Sequence, residues 1–140
     1  VAGMQGSIAT WLNANAPDAV VLVHDAGYLS EFTNTHLVDL VGLKTPRAAA
    51  LHRAITGPSA GTNRAEAIHR LACETKPGFY VAWNWWESGF QLTSGLQEHG
   101  WSTTPVVREE IASPIGALRF TLYRLGAPNQ CAPAFGAGGI

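Results

Sequence analysis

The chain of 140 residues is poor in charge, because only 14% of its residues are Asp, Glu, Lys or Arg and its formal net charge is −1. A typical soluble domain has about 25% charged residues. A nucleic-acid binder normally shows a basic excess or a basic stripe, and this sequence has neither. Hydrophobic residues make up 46% of the chain, which excludes a disordered segment of low hydrophobicity and high charge. The composition predicts a soluble globular domain that does not bind nucleic acid.

Long apolar runs are also absent, since no stretch approaches the ~20 residues of a membrane-spanning helix. The glycine-rich phosphate loops of nucleotide-binding proteins are missing, as are the HExxH zinc motif and the DxDxDG calcium motif. The GxSxG nucleophile motif of α/β-hydrolases is missing too. We therefore expect neither a cofactor nor a metal ion of these standard types.

Cysteine is scarce, with Cys73 and Cys131 as the only two in the chain. They are not spaced as a CxxC pair, and two cysteines alone do not form a zinc site. Two interpretations stay open. Cys73 is a buried thiol on a helix and Cys131 lies in a loose tail, or the two form a disulfide that adds about 4 kcal/mol of stability. The disulfide requires an oxidising compartment.

Apolar periodicity and turn residues predict an alternation of helices and strands. Helices are predicted at residues 5–14, 45–55, 63–74 and 89–99, with one helical turn at 28–32. Strands are predicted at residues 19–23, 36–41, 79–83, 103–109 and 118–124. Thr45 before Pro46 predicts a capping hydroxyl at the start of a helix. Asn63 with Glu66 resembles a capping box.

The order of these elements predicts the fold. Alternation of strands and helices in the first two thirds favours a parallel sheet. The last two strands have too short a connection for a crossover helix, so they should pair antiparallel at one edge. We predict an α/β fold, a Rossmann-like three-layer sandwich with a mixed, mainly parallel sheet. A single domain would cover residues 1–125, and the Gly/Pro/Ala-rich residues 126–140 would form a flexible tail.

Polar residues follow the first two predicted strands, and ligands of open α/β sheets bind beyond the carboxyl ends of the strands. His24, Asp25 and Gly27 follow the first strand, and Asp39 ends the second. As a site, the carboxylates would bind a metal ion or a sugar hydroxyl and His24 would move protons. The alternative is that the two aspartates order the following turns and Gly27 supplies a permissive backbone.

An aromatic cluster formed by Tyr80, Trp83, Trp85 and Trp86 lies on and after the third strand. Exposed aromatic side chains can stack on sugar rings. Neighbouring side chains of an extended segment point to opposite faces, so at least one of Trp85 and Trp86 should point outward and contact a carbohydrate. The alternative is that the cluster packs in the core.

Two further groups of polar residues are predicted to lie at the surface. One group comprises the remaining histidines, which are scattered among different elements: His36, His52, His69 and His99. The other is interpreted as the solvated end of a strand: Arg108, Glu109 and Glu110.

Three ordered pieces of the sequence resemble the soluble C-terminal region of bacterial multi-pass membrane glycosyltransferases of the GT-C, dolichyl-phosphate-mannose-transferase-like class. The pieces are IATWL at residues 8–12, APDAVVLVHDAGYL at 16–29 and VDLVGL at 38–43. Residues 79–82, which follow Lys76 and Pro77, and the closing strand that ends in Tyr123 and Arg124 are similar to later strands of the family. The positions that match the family motif are Asp25, Gly27, Asp39 and Gly42.

The resemblance implies that Val1 lies just after a membrane helix and that the domain is on the extracytoplasmic face of the cell membrane, where a disulfide is permitted. In that family the catalytic carboxylate lies in the membrane part, so this chain is expected to hold no catalytic residue. The implied function is an accessory domain of a polyprenyl-phosphate-sugar-dependent glycosyltransferase that aids acceptor recognition or scaffolding. Its implied partners are the membrane portion of the parent protein and a glycan or polyprenyl-phosphate-linked sugar.

Two functions of other classes stay open from the residues alone. A self-contained small α/β hydrolytic enzyme would use His24, Asp25 and Asp39, with or without a metal ion. A glycan- or protein-binding module would act through Trp85 and Trp86.

Overall fold

The structure is a computed structural model that describes residues 5–24, 27–41, 45–129 and 131. Within these ranges it has a mixed α/β fold with five strands and six α-helices. The strands are β1 (Val20–Val23), β2 (His36–Asp39), β3 (Phe79–Trp83), β4 (Ser102–Ile111) and β5 (Leu118–Gly126). The helices are α1 (Gly6–Asn15), α2 (Gly27–Phe32), α3 (Pro46–Leu51), α4 (Arg64–Thr75), α5 (Asn84–Phe90) and α6 (Leu92–Glu98). A π-helical segment, His52–Thr56, continues α3.

The five strands form one mixed sheet in the order β2-β1-β3-β5-β4. Strand β1 pairs in parallel with β2 and β3, whereas β5 pairs antiparallel with β3 and β4. The carboxyl ends of β1, β2, β3 and β4 therefore lie at one edge of the sheet. The chain moves from β1 to β2 on one side and then crosses to β3 on the other, so the order reverses between β1 and β3. The mixed sheet and the antiparallel pairing of the last two strands confirm two parts of the sequence prediction. The prediction of a mainly parallel sheet is wrong, because two strand pairs are parallel and two are antiparallel.

Side chains of the strands alternate between two hydrophobic clusters, because successive residues of a strand point to opposite faces. Val21 and Val81 belong to the cluster that also contains residues of α1 and α2. Leu22 and Tyr80 belong to the cluster that contains residues of α3, α4 and α6. Among the helices of the described part of the chain, none is long and apolar enough to cross a membrane.

The N-terminus of α1 is held by Glu109 of β4. The prediction that Glu109 belongs to a solvated strand end is wrong, because its side chain is half-buried against α1. The carboxylate of Glu109 accepts hydrogen bonds of 3.2, 2.9 and 3.4 Å from the first three amides of the helix, those of Gly6, Ser7 and Ile8. A carboxylate suits this place because the first amides of a helix have no partner within it and carry partial positive charge. Glu110 next to it forms an exposed ion pair with Arg119 at 2.9 Å.

The segment after β3 differs from the prediction of one helix at residues 89–99. The structure has two helices, α5 and α6, separated by Gln91, whose φ of 51° is left-handed. Trp85 and Trp86 therefore lie on a helix, and their prediction as an extended segment is wrong. The short helix α5 contains Gly89, which lowers its intrinsic helix propensity.

Contacts with neighbouring elements account for the helical form of α5. The carboxylate of Glu87 accepts hydrogen bonds from the hydroxyl of Tyr80 on β3 and from the amide of Thr93 on α6, the latter at 3.0 Å. These bonds join three elements through one side chain. No local spacing encodes them, and periodicity alone therefore did not predict α5.

Thr45 and Asn63 stand at the N-cap positions of α3 and α4, as predicted, but neither side chain caps its helix. The predicted capping hydrogen bonds are wrong. Thr45 Oγ1 instead accepts a hydrogen bond of 2.9 Å from the amide of Asp39. This bond ties the start of α3 to the end of β2.

Cys73 on α4 and Cys131 form a disulfide bond across 58 residues of sequence, with Cα atoms 5.3 Å apart. The structure therefore agrees with the second interpretation of these cysteines, a disulfide. The disulfide joins the segment after β5 to α4. Residues 130 and 132–140 of the predicted tail at 126–140 lie outside the described residues, and Gly126 is the last residue of β5.

Candidate functional site

A pocket of about 440 Å³ opens at the edge of the sheet where β1, β2 and β3 end. His24 follows β1, Leu40 and Val41 follow β2, and Trp86 and Phe90 of α5 form the facing wall. The other lining residues come from the π-helical segment, the following loop, α4 and α6: His52, Arg53, Thr56, Gly57, Arg64, Ile68 and Leu92. Ligands of open α/β sheets bind at this edge, where the strand order reverses. The volume is within the range of small-molecule sites.

His24 is buried beside the pocket and belongs to a chain of hydrogen bonds that reaches α5. Its Nε2 lies 2.8 Å from the hydroxyl oxygen of Tyr80. The Tyr80 hydroxyl donates its single hydrogen to the carboxylate of Glu87. Nε2 of His24 must therefore be the donor to Tyr80, and Nδ1 is the acceptor nitrogen of the neutral ring.

Burial determines the protonation states of His24 and Tyr80. It lowers the pKa of His24 from 6.5 to about 4, although the negative charges of Glu87 and Asp39 act in the opposite direction. Burial, aided by Glu87, raises the pKa of Tyr80 well above its usual value. At neutral pH the imidazole is uncharged and the phenol is protonated. Trp86 stacks on the His24 ring with centroids 5.2 Å apart and planes at 21°.

Two arginines contribute positive charge to the pocket wall. The guanidinium carbon of Arg64, the first residue of α4, lies 4.3 Å from the ring centroid of Phe90. Arg53 belongs to the π-helical segment and is exposed. Neither arginine pairs with a carboxylate of the described residues, whereas three others each pair with a glutamate: Arg47, Arg70 and Arg119. The described lining residues include no Asp or Glu.

His52 fixes the π-helical segment against the end of β2. Its Nε2 donates to the carbonyl oxygen of Leu40 at 2.7 Å. In the neutral ring Nδ1 is then an acceptor, and it receives the hydroxyl hydrogen of Thr56 at 2.8 Å. Segments of π-helix are frequent at functional sites. Here the segment carries both Arg53 and His52 to the pocket wall.

Residues 1–123 match the model of a protein family described as a domain of unknown function, DUF8728. The chain belongs to this family. The match covers all the residues that line the pocket. No curated protein and no solved structure matches the chain.

Three predicted site residues of this DUF8728 domain lie away from the pocket wall or outside the described residues. The carboxylate of Asp39 is buried and accepts a hydrogen bond of 2.9 Å from the amide of Val41, so it orders the turn after β2. Gly27 is the first residue of α2 and does not line the pocket. Asp25 and the motif position Gly42 lie outside the described residues.

The two tryptophans of α5 take different positions in the domain. Trp86 lines the pocket between His24 and Phe90. Trp85 is 39% exposed and stacks on Trp83 with ring centroids 5.9 Å apart. Tyr80 of the same aromatic cluster is fully buried, so its proposed stacking on a sugar ring is wrong.

The prediction of surface positions for the remaining histidines is wrong for His69, whereas His52 is half-buried at the pocket wall. His69 is buried, its Nδ1 accepts a hydrogen bond of 2.9 Å from Trp101 Nε1, and its ring stacks on that of His99. Burial, with a contribution from His99, lowers the pKa of His69. Both histidines are far more constrained than their scattered positions in the sequence indicate. In the described ranges, no three His, Cys, Asp or Glu side chains are grouped to hold a metal ion.

Sequence reasoning missed Arg53, Arg64 and Glu87 as site residues, because their meeting point exists only in the folded chain. The sequence carries no local signal for the two arginines. Arg53 and Arg64 have no acidic residue three or four positions away, but neither has Arg47, which pairs with the distant Glu74.

Proposed function

We propose that this domain is a soluble extracytoplasmic accessory domain of a polyprenyl-phosphate-sugar-dependent membrane glycosyltransferase, and that it binds the anionic group of a sugar-linked or lipid-linked ligand. The observation that carries the proposal is the pocket wall, which combines Arg53 and Arg64 with the aromatic rings of Trp86 and Phe90. The domain holds a ligand and the membrane part of the parent performs the transfer.

The two arginines would bind the anionic part of the ligand. Guanidinium groups bind phosphate through paired N–H donors, and these charge-assisted hydrogen bonds are stronger than neutral ones. Arg64 is held over the Phe90 ring, so part of its conformational entropy is already lost before the ligand arrives. Because neither arginine pairs with a described carboxylate, a phosphate does not have to displace an ion pair seen in the structure.

The remaining residues of the pocket wall would contact a sugar ring or an isoprenoid chain. Trp86 and Phe90 provide aromatic surface, and Leu40, Ile68 and Leu92 provide apolar surface. Nδ1 of His24, the acceptor nitrogen, can receive a hydrogen from a sugar hydroxyl. A polyprenyl phosphate has a phosphate and an apolar chain, and a sugar phosphate has a phosphate and a sugar ring. Each therefore matches the arginines and one other part of the wall.

The fold and the location belong to the same proposal. We infer a Rossmann-like three-layer sandwich, supported by the two hydrophobic clusters, to which different helices contribute on opposite faces of the sheet. The disulfide between Cys73 and Cys131 supports an extracytoplasmic location, because disulfides persist in oxidising compartments. A hydrolytic role gains no support from Asp39, whose carboxylate is bonded to a backbone amide.

Calorimetric titration with mannose 1-phosphate and with farnesyl phosphate, a short polyprenyl phosphate, tests the proposal. We expect Arg64→Gln to weaken binding of at least one probe by about tenfold or more, the value of a charge-assisted hydrogen bond. Arg47→Gln is the matched control, because Arg47 pairs with Glu74 and does not line the pocket. Mannose and farnesol, which lack the phosphate, should bind more weakly. Equal binding by both variants, or no binding of either phosphate, contradicts the proposal.

The accessory role has a separate test. The isolated chain should not turn over a polyprenyl-phosphate sugar, and the gene upstream of Val1 should encode a series of hydrophobic helices. Glycosyl transfer by the chain alone would refute the accessory role.

A further inference from the structure

Exposed apolar side chains are concentrated at the edge of the sheet that carries the pocket. In the described chain the large hydrophobic residues that are exposed are Phe32, Val41, Trp85, Phe90 and Ile115. Val41 follows β2, Trp85 and Phe90 lie on the helix that follows β3, and Ile115 lies in the turn that follows β4. All four follow the carboxyl ends of β2, β3 and β4, which lie at one edge of the sheet, and we call them the pocket edge. Phe32 ends α2 and lies toward the opposite edge, where β2 begins.

Part of the pocket edge is joined by hydrogen bonds between α5 and the turn that carries Ile115. Trp85 Nε1 and Asn84 Nδ2 donate to the carbonyl oxygen of Ala117 at 3.3 and 3.1 Å. Asn84 Oδ1 also accepts a hydrogen bond of 2.8 Å from the amide of Arg119. The turn that carries Ile115 is therefore held against α5. The same helix continues to Phe90 at the rim of the pocket.

Two positive charges at this edge are available to an anionic ligand. Arg53 and Arg64 at the pocket have no acidic partner among the described residues. Glu110, near the end of β4, is neutralised by Arg119. The carboxylates of Glu87 and Asp39 are negative as well, but Glu87 accepts hydrogen bonds from Tyr80 and Thr93, and Asp39 accepts one from the amide of Val41. An anionic surface can therefore pair with Arg53 and Arg64.

We propose that the pocket edge docks on the surface of an anionic lipid bilayer, with Ile115 and Trp85 inserted at the level of the headgroups. Tryptophan is enriched at membrane interfaces because its ring is apolar and its N–H stays polar. Exposed apolar side chains beside cations bind such surfaces through apolar burial and attraction to anionic lipids. This docking brings the mouth of the pocket to the depth of lipid phosphates. It does not depend on the transferase parent.

Sedimentation of the full chain with vesicles tests this docking. We expect stronger binding to vesicles of phosphatidylcholine with one quarter phosphatidylglycerol than to phosphatidylcholine alone. Ile115→Ser should lower the partition coefficient about tenfold, because an isoleucine side chain leaves the apolar phase. Its side chain is 76% exposed, so the substitution should not affect folding. Phe32→Ser is the matched control, since Phe32 is 53% exposed but lies toward the opposite edge.

The arginines provide a second measurement. Arg53→Gln and Arg64→Gln should each reduce the preference for phosphatidylglycerol vesicles over phosphatidylcholine vesicles about fivefold. Arg119→Gln, which removes an arginine already paired with Glu110, should have a smaller effect.

Three results would overturn the docking proposal. They are absence of vesicle binding by the wild-type chain, equal losses in the Ile115→Ser and Phe32→Ser variants, and a wild-type dimer that Ile115→Ser converts to a monomer. The last result would make the pocket edge an interface between copies of the chain. Binding of soluble mannose 1-phosphate by Ile115→Ser separates the two proposals, because that binding depends on the pocket and not on a bilayer.

Discussion

At the scale of single residues, His24 shows how burial and hydrogen bonding define one protonation state. The ring is stacked on Trp86, donates to Tyr80 through Nε2, and has a pKa of about 4. The same side chain in the unfolded chain has a pKa near 6.5. The folded and unfolded chains therefore bind different numbers of protons between pH 4 and pH 6.5.

The stability of the domain should consequently fall as the pH decreases from about 6.5 towards 4. The pKa of His24 is lower in the folded state, so protons bind preferentially to the unfolded chain and lower the free energy of unfolding, by about 3 kcal/mol at the acid end. Urea unfolding at several pH values measures this slope. His69, whose pKa is also lowered, acts in the same direction and remains in the His24→Gln variant.

The difference between the wild type and His24→Gln therefore isolates His24. In the His24→Gln variant the free energy of unfolding should depend less steeply on pH, and the dependence that remains should come from other groups such as His69. Parallel stability curves for the two proteins would show that His24 is protonated equally in both states.

At the scale of secondary-structure elements, α1 depends on a carboxylate about one hundred residues away. Glu109 accepts hydrogen bonds from the first amides of the helix, whereas its neighbour Glu110 pairs with Arg119 at the surface. Glu109→Ala should lower the free energy of unfolding by about 1–2 kcal/mol, as for other losses of helix caps. Glu110→Ala is the control and should cost less than about 1 kcal/mol. Thermal or urea unfolding compares them, and equal costs would contradict the capping role.

The contact between α4 and α6 depends on the absence of a side chain at Gly95. A Cβ atom added there would lie 2.9 Å from the Cβ of Ala65, closer than two packed carbons allow. Gly95→Ala should therefore destabilise the domain by about 1–2 kcal/mol, although alanine favours a helix. Ala65→Gly should partly restore stability in that background.

A control for the Gly95 experiment lies on α5. Gly89 has open space where a Cβ would be placed, so Gly89→Ala should stabilise the domain by about 0.5–1 kcal/mol. Urea unfolding of the wild type and the three variants measures both the expected loss and the expected gain of stability. A stabilising Gly95→Ala would show that the two helices can separate without loss.

At the scale of the whole molecule, the disulfide joins the end of the described chain to its middle. Cys73 and Cys131 are 58 residues apart in sequence, so the bond restricts a large part of the unfolded chain. Reduction should lower the free energy of unfolding by about 4 kcal/mol in the chain-entropy model. Urea unfolding with and without reductant measures the change. The Cys73→Ala/Cys131→Ala double variant is the control, and its unfolding should not respond to reductant.

The strands, most of the helices and the pairing of the last two strands could be predicted from the amino-acid sequence. Residues 79–83 were predicted as a strand and form β3 with the same bounds. The alternation of apolar and polar residues sets such elements because it records which side faces the core. The short connection between β4 and β5 was enough to predict their antiparallel pairing, which the structure has.

The helical form of α5, the cap of α1 and the pocket wall depend on contacts between residues that are distant in the sequence. Glu87 meets Tyr80 and Thr93, Glu109 meets the amides of α1, and Arg53 and Arg64 reach one pocket from separate elements. Residue spacing encodes neighbours within one turn of a helix or along one strand. Contacts between distant residues depend on which faces of the helices and strands pack together. Those faces are determined by the burial of the whole hydrophobic core.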